Sequence, residues 1–156
     1  MKNSTTCFGK WRNIAICCII MEGYQKWGVG MIDFQNASVF KLRKAEDGEI
    51  INMVSPMLIE NENILASFKG IRDCVIFTDK RIIAVNVQGL TGKKKDFTSL
   101  PYTRIQAFSV ETAGTFDLDC EMDLYFSGLG KVRFEFMNGF DIVSFNKIIS
   151  EYVLSK

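Results

Sequence analysis

The chain has no histidine, only two prolines and two tryptophans, and no large excess of charge of either sign. Histidine is the side chain most often used for acid–base catalysis near neutral pH and for metal binding, so its absence removes Ser-His and Cys-His nucleophile pairs. The 19 basic and 18 acidic residues leave a net charge of +1, which creates no overall field that would attract nucleic acid or an anionic membrane. These absences argue against a conventional hydrolase and against a nucleic-acid-binding protein.

Cysteine is present, but not in a pattern that indicates chemistry. The cysteines are odd in number and show no C-x-x-C spacing, so neither a zinc site nor a redox motif is predicted. They stand at Cys7, Cys17, Cys18, Cys74 and Cys120. The last two fall inside strand-like runs, where a free cysteine behaves as a small apolar residue. We therefore expect buried thiols, no cofactor, no metal and a cytoplasmic location.

Long hydrophobic runs are also scarce. The run from Ile14 to Met21 follows Lys10 and Arg12 as in a signal peptide, but it is far shorter than the roughly 20 residues that span a bilayer, and no A-x-A site follows. Three interpretations of residues 1–30 remain open: a short buried or interfacial element, a disordered leader, or an upstream extension with Met31 as the true start. We favour the last two, with a single domain over residues 31–156.

The residues that follow predict a bent helical segment over 48–60. Apolar side chains recur there at helical spacing, which is typical of an amphipathic helix. They are Ile50, Met53, Val54, Met57 and Leu58. Pro56 removes one backbone donor from such a helix, so we expect a bend or two short helical pieces that meet near Ser55.

The rest of the chain up to residue 137 reads as an antiparallel meander. Runs rich in Val, Ile, Phe and Thr are separated by turn residues, and the last two alternate strictly between apolar and polar side chains. The predicted strands cover residues 64–69, 73–77, 81–87, 94–100, 105–111, 118–127 and 131–137.

Side-chain parity constrains the last hairpin. The even-numbered residues of both strands are apolar, so the two strands must be joined by a loop of odd length, and a three-residue connection within 127–130 satisfies this requirement. A glycine at the end of that loop suits a left-handed backbone conformation. The permitted registers place acidic or aromatic residues beside Lys131 and Arg133.

After Gly139 the apolar period changes from 2 to about 3.6. This change predicts a C-terminal helix over residues 140–153, with Asp141 as its cap or first-turn acid. The predicted fold is therefore mainly β: a seven-stranded antiparallel barrel or orthogonal sandwich over 64–137, closed by this amphipathic helix and preceded by the helical segment.

Four segments carry a resemblance to a known family. They are FTDKRI at 77–82, QGLTGKK at 88–94, SLPY at 99–102 and FSVETAGTFD at 108–117. Together the residues from about 50 to 154 resemble the bacterial pleckstrin-homology-like (PH) domains, small proteins of unknown function. The resemblance implies a PH-type barrel closed by a C-terminal helix, ring-like homo-oligomers and no enzymatic activity, and it supplies no catalytic residues to carry over.

Two surfaces are candidate binding sites. A basic rim for an anionic lipid headgroup would use the cations of the strand ends and turns, namely Lys69, Arg72, Lys80, Arg81, Lys93, Lys94 and Lys95. The same lysines also suit a solvated run that protects strand edges from aggregation. A small-residue corner that packs against another subunit would use Thr112, Gly114, Thr115 and Phe116, although a plain strand bend explains that segment equally well.

Acidic residues near the last strands offer one more candidate, a carboxylate cation site. Their alternation along a strand favours a solvent-facing row over converging metal ligands. They are Glu111, Asp117, Asp119, Glu121 and Asp123. The sequence therefore predicts a non-enzymatic, oligomerising module that binds itself and an unidentified protein or peptide but no nucleic acid, with membrane-surface binding as the alternative.

Overall fold

The computed structural model describes residues 38–46, 48–88, 93–115, 118–137 and 139–155. The segment 1–30 and Met31, on which the prediction of a leader or a late start rests, lie outside these residues. The described part contains eight strands and two helices. They are β1 Ser38–Lys44, α1 Gly48–Val54, β2 Ile64–Lys69, β3 Asp73–Thr78, β4 Arg81–Gln88, β5 Lys94–Pro101, β6 Ile105–Glu111, β7 Cys120–Phe126, β8 Gly130–Phe136 and α2 Ile142–Leu154.

The strands form one curled sheet, a half-barrel, in the order β5-β4-β3-β2-β1-β8-β7-β6. Every neighbouring pair is antiparallel except β1 with β8, which is parallel. Within the described residues β5 and β6 do not pair with each other and therefore form the two edges of the sheet. The predicted fold class, mainly β with a C-terminal helix, is confirmed.

One strand was not predicted. β1 lies between β2 and β8 and joins the two halves of the sheet, and the helical segment follows it instead of preceding the first strand. The signal was present in the sequence, because Phe40 and Leu42 are buried whereas Lys41 and Arg43 are exposed, as the period of two requires. The run is short and lies close to the segment that was interpreted as a leader.

The main core lies on the face of the sheet that α2 covers. Four residues of α2 are buried against it: Ile142, Phe145, Ile149 and Val153. The Phe68 ring lies at the centre, with its centroid 5.6 Å from that of Phe77 and 4.9 Å from that of Phe136. The side chain of Asp141 accepts a hydrogen bond from the Ser144 N–H at 3.0 Å, which confirms the predicted cap.

A second core lies on the opposite face of β3 and β4, under α1. Ile50 and Val54 of the helix pack there with Ile76 and Ile83, which are at most 1 % exposed. The helix ends at Val54, and a turn of 3-10 helix over Ser55–Met57 contains Pro56. The prediction of two short helical pieces meeting near Ser55 is confirmed. Met57 departs from the predicted apolar stripe, because it is 45 % exposed.

The β7–β8 hairpin has the predicted loop. Phe126 is paired with Gly130, so three residues connect the strands. Gly128 and Gly130 have φ angles of 80° and 88°, a region that side chains disfavour. Asp123 is paired with Arg133, which confirms the expected neighbour of that cation.

Candidate functional site

The last strand of the sheet, β6, presents an open edge. Phe108 and Val110 are half-buried and pack against the main core, whereas Ser109 and Glu111 are exposed on the other face. Among the described residues β7 alone pairs with β6. In an antiparallel ladder every second residue directs its N–H and C=O away from its partner strand, so the other side of β6 carries backbone groups that no described strand pairs with.

A groove separates this edge from the C-terminal end of α2. Its volume is about 370 Å³, and it is lined by Ile105, Gln106, Ala107, Phe108, Val153 and Leu154. We call these six residues the edge groove. Leu154 is 70 % exposed, so an apolar side chain remains open to solvent at the mouth of the groove. An apolar lining beside unpaired backbone groups suits an extended chain better than a charged small molecule.

The outer face at the other end of β6 is acidic. A second groove of about 270 Å³ is lined there by Ser109, Val110, Glu111, Glu121 and Asp123, which we call the acidic strip. The cations that contact these carboxylates belong to β8, which lies on the side of β7 away from β6. The acidic strip therefore lies between the cations of β8 and the open edge of β6.

Two of these carboxylates are held by the cations of β8. Arg133 contacts Glu121 at 2.6 Å and Asp123 at 2.8 Å, and Lys131 contacts Asp123 at 3.3 Å. The hydrogen bond from Arg133, against the opposing effect of burial, lowers the pKa of Asp123 below its ordinary value. The predicted carboxylate row is thus an ion-paired ladder at these two positions. Asp117 lies outside the described residues.

The predicted small-residue corner follows β6 directly. Thr112, Gly114 and Thr115 are all exposed, and Phe116 lies outside the described residues. A Cβ atom added at Gly114 would meet nothing within 4 Å. The described residues of the corner therefore extend the open edge of β6, and none of them covers Gly114.

The predicted basic rim is divided between the two ends of the sheet. Lys69 is paired with Cys74 near the start of β3, and Lys94 is paired with Gln88 at the end of β4. Both lysines therefore lie at the end of the sheet where β3 begins. Arg72, Lys93 and Lys95 lie at the same end. Lys80 and Arg81 lie in or beside the β3–β4 turn, at the opposite end. The structure brings together five of the seven cations.

Sequence reasoning missed an apolar residue at the first of these ends. Ile71 occupies the β2–β3 turn between Gly70 and Arg72 and is 96 % exposed. A Cβ atom added at Gly70 would lie 3.2 Å from the carbonyl oxygen of Lys41, so the turn passes close to β1. The sequence does contain a signal for this exposed residue, because an isoleucine stands in a predicted turn and is flanked by cations.

Arg81 holds a buried carboxylate. Its Nε atom donates to Glu62 Oε1 at 2.9 Å, and the Glu62 side chain is fully buried. The Thr78 hydroxyl also donates to Glu62, at 2.8 Å, and the Ile59 N–H donates at 3.0 Å. Burial would raise the pKa of Glu62, but these hydrogen bonds and the Arg81 charge outweigh it and lower the pKa to about 2. This cluster joins the end of the helical segment to the β3–β4 turn.

In the described part of the chain no group of three or more histidine, cysteine, aspartate or glutamate side chains is arranged to hold a metal ion. The thiols of Cys74 and Cys120 are buried, as expected for core cysteines. No helix there is long and apolar enough to cross a bilayer.

Comparison with known proteins identifies the family. Residues 33–153 match the family model described as bacterial PH domain. An uncharacterized Bacillus subtilis protein, YjqA, is 47% identical over 96 residues, which are 60% of this chain and 77% of that protein. A DUF1696 family protein with a pleckstrin-homology domain from Shewanella loihica is 36% identical, with a TM-score of 0.63, over 73% of this chain and 98% of that one.

A second solved structure supports the same assignment. The pleckstrin homology domain from Shewanella amazonensis is 41% identical, with a TM-score of 0.53, and the match covers 70% of this chain and 89% of that one. The family match spans the curled sheet and all but the last residue of α2. The chain belongs to the bacterial PH domain family.

Proposed function

We propose that the protein is a non-enzymatic interaction module that assembles with copies of itself and binds a protein partner. The observation that carries this proposal is the open edge of β6, which continues into the exposed corner at Thr112, Gly114 and Thr115. An uncovered strand edge is a template for association with another chain, and most soluble proteins cover or charge such edges. Among the described residues nothing lies within 4 Å of a Cβ atom added at Gly114, which leaves room there for a second subunit.

Family membership supports a role without catalysis, since PH domains are generally binding modules. Function is nevertheless decided by sites and not by folds. In the described part of the chain the cluster of Glu62 with Arg81, in which the pKa of Glu62 is lowered to about 2, links two structural segments. We place self-association at the corner and propose a closed ring, as the resemblance implies.

Light scattering coupled to size exclusion tests this proposal. Gly114→Arg introduces a long cation into the corner, and the open space there allows the protein to fold. Gly48→Arg is the matched control, because a Cβ atom at Gly48 also meets nothing within 4 Å. We expect an oligomer for the unaltered protein and for Gly48→Arg, and smaller species for Gly114→Arg. A strictly monomeric unaltered protein at micromolar concentration would overturn self-association.

A second candidate function is binding to an anionic membrane surface. The observation that favours it is the exposed Ile71, which lies among Lys69, Arg72 and the lysines at the start of β5. A protruding apolar side chain can enter the lipid interface while neighbouring cations bind anionic headgroups. Lys80 and Arg81 would take no part, because they lie at the other end of β3 and Arg81 is bound to Glu62.

Sedimentation with vesicles separates this candidate from the first. Arg72→Glu should reduce binding to vesicles that contain anionic lipid, whereas the matched charge reversal Lys80→Glu at the opposite end should leave it unchanged. Binding should also weaken as salt is raised, because the attraction is electrostatic. Equal sedimentation with neutral and anionic vesicles would remove lipid binding from consideration.

A further inference from the structure

A cavity opens between β1 and the β2–β3 turn. Its volume is about 260 Å³, and it is lined by Phe40, Lys41, Leu42, Gly70, Ile71 and Asp73. We call these six residues the turn cavity. β1 pairs with β2 through Arg43 and Lys44, so the cavity lies beside the earlier part of β1, which the described pairing with β2 does not reach.

The walls of the turn cavity are largely apolar. Phe40 and Leu42 are buried and belong to the main core, whereas Ile71 is exposed in the turn. The volume is slightly below the usual range for ligand sites, so the cavity suits a short aliphatic chain better than a large ring system.

Two hydrogen-bond acceptors lie at the turn cavity. The first is the carbonyl oxygen of Lys41, which would be 3.2 Å from a Cβ atom added at Gly70. The second is the Asp73 carboxylate. The Gly70 N–H is already used, because it donates to the Asp73 carbonyl oxygen at 2.7 Å. A ligand that satisfies both acceptors must therefore donate hydrogen bonds.

The register of β3 places the Asp73 carboxylate beside apolar side chains. Asp73 has the same parity as Val75 and Phe77, which belong to the main core, so it points to the same face of the sheet. The residue is half-buried, and this burial raises the pKa of its carboxyl group above the ordinary value. A positive charge inside the turn cavity would stabilise the ionised carboxylate.

The cations that adjoin Asp73 in the sequence point to the other face. Lys69 is paired with Cys74, whose side chain belongs to the second core. The Val87 N–H donates to the carbonyl oxygen of Arg72 at 3.2 Å, so strand pairing continues to Arg72, and its side chain lies on the face opposite to that of Asp73. The Lys41 side chain is also directed away, since it contacts Glu135 on the outer face at 3.5 Å.

The strands next to Asp73 add further polar groups on its own face. Asp73 is paired with Asn86 of β4, and Asn86 is paired with Asp96 of β5. All three residues are half-buried. Lys94 has the same parity as Asp96 but lies two residues further toward the end of the sheet. The surroundings of the turn cavity on this face therefore favour a cationic ligand over an anionic one.

We propose that the turn cavity binds a primary alkylammonium group, with the ammonium at Asp73 and the alkyl chain between Leu42 and Ile71. The ammonium group donates hydrogen bonds to both acceptors, and its charge pairs with the carboxylate. The alkyl chain covers part of the Ile71 side chain, which removes apolar surface from water. A free aliphatic amine and the side chain of a lysine share this chemistry.

An NMR titration of the methyl-labelled full chain with hexylamine tests this proposal. We expect saturable shifts of the Leu42 and Ile71 methyl signals, nuclear Overhauser contacts from these methyl groups to the hexyl chain, and a dissociation constant of about 1 mM. Hexanoate and hexanol are the matched controls, because they keep the chain but reverse or remove the charge. Each should bind about tenfold more weakly. Equal binding of all three compounds, or no saturable binding of hexylamine, would overturn the proposal.

Protein variants locate the site. Asp73→Asn keeps the shape of the side chain but removes its charge, and it should weaken hexylamine binding about tenfold, whereas Glu60→Gln at an exposed site outside the sheet should not. Ile71→Ser should weaken binding severalfold, with Ile59→Ser at another exposed position as control. Ile71 is exposed, so its replacement tests the site even if Asp73→Asn is unstable. Equal effects within either pair would contradict the assigned site.

A lysine analogue distinguishes the two sources of the ammonium group. Nα-acetyl-lysine methylamide that binds as tightly as hexylamine would assign the cavity to a lysine side chain of another protein, whereas binding of hexylamine alone would assign it to a free amine. Arg72→Glu, which should reduce binding to anionic vesicles, should not weaken hexylamine binding, because Arg72 lies on the other face. A loss of hexylamine binding in Arg72→Glu would overturn the placement at Asp73.

Discussion

The two halves of the sheet differ in how many faces they bury. In β3 and β4 both faces are covered, by the main core on one side and by α1 on the other, and residues 74–78 and 82–85 are all buried. In β8 buried and half-buried residues alternate, so that Val132, Phe134 and Phe136 face the core while charged residues face outward. The first half is therefore buried on both faces, whereas the second leaves one face half-exposed.

The same difference appears in the two main ion-pair clusters. Glu62 is held by Arg81 with no exposed side-chain surface, at the junction of the helical segment and the β3–β4 turn. On the outer face of β7 and β8 the Asp123 carboxylate is nearly buried, but its partners reach water, since the Arg133 side chain is 29% exposed and that of Lys131 is 32% exposed. An ion pair in a buried site has large effects when one partner is removed, whereas water compensates for much of the loss at a surface.

Replacement of the two arginines should give the largest contrast. Arg81→Met leaves the Glu62 carboxylate buried without its cation, and we expect the free energy of unfolding to fall by about 4 kcal/mol. Arg133→Met, the matched change on the outer face, should have a much smaller effect. Urea unfolding monitored by circular dichroism measures both. Equal losses would show that the two halves are equally dependent on their ion pairs.

Truncation of one side chain in each half of the sheet should give the next largest difference in stability. Ile76→Ala removes a fully buried side chain beneath α1, which should cost about 3 kcal/mol. Tyr125→Ala changes an outward-facing residue of β7 that is 39% exposed, and its cost should be below about 1 kcal/mol. Thermal unfolding provides the comparison. A Tyr125→Ala protein as unstable as Ile76→Ala would mean that the outer face of β7 is covered in solution.

Acid should destabilise the first half through Glu62. Its pKa is lowered from the ordinary 4.5 to about 2 on folding, so the stability that this carboxylate contributes is fully present above pH 4.5 and is lost as the pH falls toward 2. Between pH 7 and pH 3 this loss should amount to about 2 kcal/mol. Glu62→Gln removes the titrating group, so its unfolding free energy should fall less over the same range. Identical pH dependence in the two proteins would contradict the lowered pKa.

The smallest effect should come from the outer-face ladder. Asp123→Asn removes the charge that Arg133 and Lys131 share, and we expect a loss below about 1 kcal/mol at low salt. The difference from the unaltered protein should shrink further at high salt, because salt screens the partly exposed charges of Arg133 and Lys131. A salt-independent loss would indicate that Asp123 acts through buried hydrogen bonds instead.

Local patterns in the sequence were sufficient for much of the fold. The alternation in β7 and β8 determined the parity of their loop, and the period of 3.6 together with Asp141 located α2. β1 escaped prediction because seven residues with two buried side chains give a weak signal. Glu62 was not among the predicted site residues, since nothing in the sequence reveals that Arg81 would lie beside it.

The candidate sites depend on topology more than on local pattern. Arg72 and Lys80 are close in the sequence but flank the two ends of β3, and a strand separates its ends by its whole length. The edge groove could not be predicted either, because it requires knowing that β6 is the last strand of the sheet and that α2 ends beside it. Leu154 lies at the end of the apolar stripe of the predicted helix, so the sequence did not indicate that its side chain would be exposed.

The parallel pairing of β1 with β8 has a consequence for biosynthesis. β8 is the last strand to leave the ribosome, and Ser38 near the start of the described chain finds its partner Val132 only then. Until that moment β1 can pair only with β2, through Arg43 and Lys44. Contacts between distant parts of a chain form slowly, and unpaired strands are prone to aggregate while they wait. We therefore expect nascent chains that end before β8 to aggregate more readily than chains that include β8.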